Sequence, residues 1–285
     1  VGHKEAYTHT IDEMKQQAKK AEALGVREFH ITGSLNPDLP FTYYEEMFQA
    51  LKVVAPTATI KAFTAVEIDF FAKKYRMTID EVYERLMAAG LDCMPGGGAE
   101  ILVDRVRDVV CKGKMSSQRW LDVHEAAHLK GIPTNATMLY GHVETIEERV
   151  DHMLKLREVQ DRTGKFLAFV PLSFHADNTE FSKIKSTTGF DDLKVYAVAR
   201  LLLDNIDHIK LLWTYVGTKM IQVALDYGVD DVGSTNLEER IVKAAGADHS
   251  DRPTLEVLTH MIGQSGLEPI EVDSLYREGE LAYVS

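Results

Sequence analysis

Asn135 and Thr137 stand two residues apart in Pro133-Thr-Asn-Ala-Thr-Met-Leu-Tyr-Gly-His-Val-Glu-Thr145. On an extended chain that spacing puts both side chains on one face. An amide and a hydroxyl side by side can hold a polar ligand by hydrogen bonds. Ser173 and His175 repeat the spacing at the end of a second apolar run, Phe166 to Phe174. The imidazole adds a group that can exchange protons near neutral pH. A third feature is Pro95-Gly-Gly-Gly-Ala-Glu100, where Gly96, Gly97 and Gly98 can turn backbone N–H groups toward an anion. Each feature also has a plainer reading. The amide and hydroxyl can satisfy each other in an ordinary strand, the glycines can form a flexible loop, and the histidine can be a satisfied structural group.

Other chemistries lack their residues. There is no nucleophile elbow, no Walker loop, no His-Glu-x-x-His pattern and no obvious acid–base pair. The two cysteines, Cys93 and Cys111, lie in different segments without metal-ligand spacing, and read as reduced thiols of a cytoplasmic protein. The formal net charge of −12 argues against nucleic acid as a partner. It permits a small anion at a local positive site. No apolar run approaches the ~20 residues of a membrane span, and the start carries no signal-peptide pattern. A homodimer stays open.

The elements that must position these residues alternate regularly. Thr10-Ile-Asp-Glu13, Thr78-Ile-Asp-Glu81 and Thr145-Ile-Glu-Glu148 are capping boxes that start helices. Strand signals fall at 26–32, 58–63, 91–94, 134–140, 166–174, 208–213 and 229–232. Helices are expected at 10–23, 41–54, 65–74, 78–90, 103–110, 116–130, 145–163, 191–205, 216–227, 236–245 and 254–264. Strand–helix alternation predicts parallel strands with right-handed crossovers. The period matches an α/β fold of the (β/α)8 TIM-barrel type. The count is one strand short and the chain opens with a helix, so either the barrel is incomplete or its first strand precedes residue 1. No linker interrupts the pattern, which reads as one domain over 1–285 with a helical and extended tail from about 247. In this architecture the site lies at the C-terminal strand ends. Those ends carry His30, Gly33, Ser34, Thr64, Glu67, the glycine loop, Asn135, Thr137, Gly141, His142, Glu144, Ser173, His175 and Trp213 to Tyr215.

At these strand ends the chain resembles the menaquinone-pathway radical S-adenosylmethionine (SAM) enzymes. The resemblance rests on His30-Ile-Thr-Gly-Ser-Leu-Asn-Pro-Asp-Leu-Pro40, Ile60-Lys-Ala-Phe-Thr-Ala-Val-Glu67 and Leu91-Asp-Cys-Met-Pro-Gly-Gly-Gly-Ala-Glu100. It continues through Asn135-Ala-Thr-Met-Leu-Tyr-Gly-His-Val-Glu144, Phe166-Leu-Ala-Phe-Val-Pro-Leu-Ser-Phe-His175 and Thr187-Thr-Gly-Phe-Asp-Asp192. The second and fifth segments look more like the branch that makes aminodeoxyfutalosine than the branch that cyclises dehypoxanthine futalosine. The resemblance implies SAM and a 4Fe-4S cluster as cofactors, with an external electron donor. It implies addition of a 5′-deoxyadenosyl radical to a small carboxylate substrate, 3-[(1-carboxyvinyl)oxy]benzoate. Gly33 and Ser34 would then bind the methionine end of SAM, Glu67 its ribose and Gly141 its adenine. Asn135, Thr137, Ser173 and His175 would face the substrate. The cluster's Cys-x3-Cys-x2-Cys motif does not occur, so its ligands are expected upstream of residue 1. Gly33-Ser34 and Asn36 also stand where relatives usually carry Gly-Gly and His. The alternatives are the branch that cyclises dehypoxanthine futalosine, and a cluster-free barrel that only binds a nucleoside or an aryl carboxylate.

Overall fold

The computed structural model describes residues 7–233 and 253–278. The chain groups into two compact units. The first comprises residues 1–95, 122–134 and 271–285, and the second 96–121 and 135–270.

The first unit opens with α1 (Ile11–Glu22), β1 (Glu28–Ile31), α2 (Phe41–Val54), β2 (Thr59–Ala62), α3 (Ala65–Tyr75) and α4 (Ile79–Ala89). Reciprocal capping boxes start α1, α3 and α4: Thr10 with Glu13, Thr64 with Glu67, and Thr78 with Glu81. Each satisfies two backbone N–H groups that a helix start leaves without partners. β1 and β2 run parallel, with Glu28 opposite Thr59 and His30 opposite Lys61. The aromatics of α2 are packing residues. Tyr44, Phe48, Phe63 and Phe71 are buried, with Tyr44 meeting Phe63 edge-on at 5.4 Å. The strand expected at 91–94 is only two single bridges, Lys61 with Cys93 and Met94 with Thr134. The Asp92 carboxylate accepts from Ile60 N at 2.7 Å and from Lys52 Nζ at 2.7 Å, so a side chain takes a place a strand carbonyl would hold. Pro95 then ends the pairing, because it has no N–H to donate.

The second unit contains α5 (Asp104–Val110), the start of α6 (Ser117–Leu129), most of β3 (Thr134–Tyr140), α7 (Ile146–Thr163) and β4 (Phe166–Ser173). It continues with α8 (Gly189–Leu202), β5 (His208–Leu212), α9 (Trp213–Val216), α10 (Met220–Leu225), β6 (Asp231–Gly233) and α11 (Leu255–Gln264). The strand order is β3-β4-β5-β6, with β4/β5 and β5/β6 parallel. Two helices differ from the sequence pattern. α8 starts two residues early because Thr188 and Asp191 form a capping box with aspartate in place of the usual Glu or Gln. The helix expected at 216–227 is two short ones, α9 and α10, divided at Gly217, whose φ of +83° no helix tolerates. The last strand is displaced from 229–232 to 231–233. The helix expected at 236–245 lies outside the described residues. No helix among the described residues is long and apolar enough to cross a membrane.

Candidate functional site

In the second unit the strand-end residues are held by a dense polar network. Thr137 does not pair with Asn135. Its hydroxyl donates to the carbonyl of Gly96. Asn135 is 8% exposed, and among the described residues its Oδ1 has no hydrogen-bond partner. A buried acceptor without a donor costs about 1–3 kcal/mol. A ligand bearing an O–H or N–H would relieve that cost.

The glycine loop is anchored through its carbonyls. Besides Gly96, the Gly97 carbonyl accepts from Trp120 Nε1 at 3.2 Å. Those of Gly98 and Ala99 accept from the buried Arg107 guanidinium, which also donates to Met115 O at 2.8 Å and 3.0 Å. The carbonyl of Glu100 accepts from Leu139 N at 2.9 Å. With the oxygens drawn inward, the N–H groups of Gly96, Gly97 and Gly98 have no acceptor among the described residues. Gly96 is required by space: a Cβ there would lie 2.5 Å from Asn135 O and 2.8 Å from Thr137 N. Arg107 was not singled out by sequence, since an arginine on a short helix usually faces water.

Ser173 and His175 converge on one atom. Ser173 Oγ lies 3.4 Å and His175 Nε2 3.0 Å from the carbonyl of Tyr215 in α9. A carbonyl only accepts, so the neutral imidazole carries its proton on Nε2 and leaves Nδ1 as an acceptor. Behind them sits Asp192, 5% exposed, accepting from Tyr140 Oη at 2.7 Å. Burial raises its pKa, against the opposing pull of hydrogen bonds from Tyr140 and Thr187. Asp192 went unremarked as a site residue. Its one signal was its place at the end of the Thr187 to Asp192 segment.

The Gly141-His-Val-Glu144 turn is locked internally. Glu144 accepts from Gly141 N at 2.6 Å, His142 N at 2.9 Å and Arg149 Nε at 2.8 Å. Gly141 therefore donates its N–H to the protein, and its φ of +93° with Thr187 against its α-carbon explains the glycine.

In the first unit, Gly33 and Ser34 are exposed, and Gly33 N donates to Glu67 Oε1 at 2.9 Å. Glu67 Oε2 accepts from Thr64 N and Thr64 Oγ1. Burial raises its carboxyl pKa, and the hydrogen bonds from Thr64 and Gly33 pull it back down. Both oxygens of Glu67 thus serve the α3 cap and the Gly33 loop, a structural load that sequence reasoning did not foresee.

A model of the radical SAM superfamily matches residues 1–156, and one of the CofH/MqnC C-terminal region matches residues 163–282. The chain belongs to the radical SAM superfamily. The chain is 47% identical to aminodeoxyfutalosine synthase of Thermus thermophilus, over 97% of this chain and 76% of that one. It is 41% identical to a 5-amino-6-(D-ribitylamino)uracil–L-tyrosine 4-hydroxyphenyl transferase of Methanosarcina mazei, over 96% of this chain and 75% of that one. The crystal structure of methylornithine synthase matches with a TM-score of 0.69 at 15% identity, over 93% of this chain and 75% of that one. That likeness shows the fold, of the α/β TIM-barrel class.

Membership makes the protein a transferase-type radical SAM enzyme, with SAM and a 4Fe-4S cluster as cofactors. The donor set tests the fit of each. Among the described residues no three of His, Cys, Asp and Glu come together as a metal-binding group. Cys93 and Cys111 are buried free thiols, and burial pushes Cys93 up to about 12, far from a thiolate ligand. The described residues do not fit the cluster. They do fit part of SAM, whose adenosine carries the O–H and N–H donors that Asn135 Oδ1 lacks.

Proposed function

We propose that this radical SAM enzyme joins the adenosyl group of SAM to 3-[(1-carboxyvinyl)oxy]benzoate, with loss of a carboxyl group, to give 6-amino-6-deoxyfutalosine for menaquinone synthesis. The observation that carries the reading is the 47% identity to the Thermus aminodeoxyfutalosine synthase across 97% of the chain. The strand-end chemistry supports it. A radical addition needs few acid–base groups but a shaped polar cavity. Asn135 supplies a buried acceptor, the Gly96–Gly98 N–H groups an anion cradle, and Ser173 and His175 a polar rim. Gly33 and Ser34 remain assigned to SAM. Glu67 holds Gly33 in place for that contact, and Gly141 acts through the shape of its turn.

The 41% identity to the Methanosarcina transferase favours a second reading, 4-hydroxyphenyl transfer from tyrosine to an aminouracil. The test supplies SAM and a reductant to the full-length, cluster-loaded protein without oxygen. One tube receives the aryl enol ether, and one receives tyrosine with 5-amino-6-(D-ribitylamino)uracil. The aminodeoxyfutalosine mass in the first tube alone is expected. The arylated aminouracil in the second tube alone would overturn the assignment.

A further inference from the structure

Lys61 sits in β2 with its side chain 7% exposed, beside Cys93 and opposite His30 of β1. Period-two alternation puts Glu28 and His30 on one face of β1, and the register puts Lys61 on the same face of β2. The opposite face of β2 turns toward the helices: Ile60 Cδ1 lies 3.8 Å from where a Cβ on Gly90, at the end of α4, would stand. The Lys61 ammonium has three N–H donors, and among the described residues none makes a hydrogen bond. Its one ionic contact is Glu28 Oε1 at 3.9 Å, beyond hydrogen-bond reach. Glu28 lies closer to His30, at 3.4 Å from Nδ1. An ammonium whose nearest carboxylate lies beyond hydrogen-bond reach keeps its donors for another acceptor, and a close charge-assisted hydrogen bond is about twice as strong as a neutral one. Proteins keep such groups where a ligand completes them.

The site is open on one side, because the His30 side chain is 47% exposed. It lies at the strand ends: β1 ends at Ile31, two residues before Gly33, and β2 ends at Ala62, two residues before Thr64. In a chain of net charge −12, a ligand anion is repelled by the overall field and needs a cation of its own.

We infer that Lys61, with His30 beside it, is the anchor for a carboxylate of the aryl substrate. This rests on the aryl-carboxylate reading above and deepens it by assigning the cation. An ammonium with donors to spare binds a carboxylate strongly and a neutral isostere weakly, so it selects the acid.

The test measures calorimetric binding of 3-hydroxybenzoate, of neutral 3-hydroxybenzamide and of S-adenosylhomocysteine to full-length wild type and Lys61→Met. The expected result has three parts. Wild type binds the acid at least tenfold tighter than the amide. Lys61→Met loses that preference while S-adenosylhomocysteine binding is unchanged. Its melting temperature does not fall, because methionine fills the volume without a charge to desolvate. Equal affinity of the acid for wild type and variant overturns the proposal, and so does weakened S-adenosylhomocysteine binding with the acid unaffected, which would give the ammonium to the cofactor. If the variant does not fold, the wild-type comparison still decides, since equal affinity for acid and amide overturns the anchor. Binding needs no turnover, so the two readings fail separately. Lys61-dependent acid binding without consumption of the enol ether contradicts the reaction and supports the anchor. Turnover with Lys61-independent acid binding does the reverse.

Discussion

Glu144 closes the turn after β3 with hydrogen bonds from Gly141 N, His142 N and Arg149 Nε. Burial alone would raise its carboxyl, but the bonds from His142 and Gly141 outweigh it and hold the group at about 2. In the unfolded chain a glutamate titrates near ~4.3. A depressed folded pKa contributes stability that is complete above the unfolded value and lost as pH falls toward the folded one. Glu144→Gln is therefore expected to lose about 1–2 kcal/mol at pH 7 and to flatten the stability change between about pH 4.5 and pH 2. Urea unfolding across that range checks both. His175 has the opposite profile. Its ring donates to Tyr215 O at 3.0 Å and meets the Tyr215 ring at 5.9 Å, and it is part-exposed. His175→Ala is expected to leave the melting temperature within about 2 °C, the scale of a change below ~0.5 kcal/mol, while turnover falls at least tenfold. A large melting shift with turnover kept would make His175 structural.

The elements explain what the sequence made legible. Capping boxes are local, four residues from end to end, so Thr10, Thr78 and Thr145 could be read directly, and the helices start where those residues stand. Thr188 escaped because its partner is aspartate. The polar pairs 135/137 and 173/175 were legible as shared faces, because strand period is also local. Their partners were not. That Thr137 turns to Gly96, and Ser173 and His175 to Tyr215, depends on segments some 40 residues away in sequence. The same holds for Lys61 and His30, which meet only through strand register. The glycine loop shows both sides. Three glycines announced a turn with backbone N–H groups to offer, but only the structure shows that Gly96 packs against β3. Gly96→Ala is expected to destabilise by about 1–3 kcal/mol, because backbone atoms, unlike a flexible side chain, cannot step aside. Differential scanning calorimetry measures it, and an unchanged melting temperature would mean the loop is free to move off β3.

For the whole molecule, the fold class was legible because strand–helix alternation survives errors at individual ends. The α/β TIM-barrel class holds although one expected strand shrinks to two bridges and one helix splits. The reaction was not legible from patterns of charge or spacing, because the residues proposed to hold the radical precursor are amides, hydroxyls and backbone N–H groups. These look like ordinary strand ends. It became legible through long shared segments, and the relatives at 47% and 41% identity then divide two chemistries on one scaffold. In the proposed reaction the adenosyl carbon is added to the substrate and retained. The most direct measurement follows SAM labelled in its adenosyl 5′ carbon, together with enol ether labelled in the vinyl carboxyl, on the full-length, cluster-loaded protein. The account predicts the adenosyl label in aminodeoxyfutalosine and one labelled carbon dioxide per methionine formed. Label recovered as free 5′-deoxyadenosine, with the enol ether intact, would contradict it.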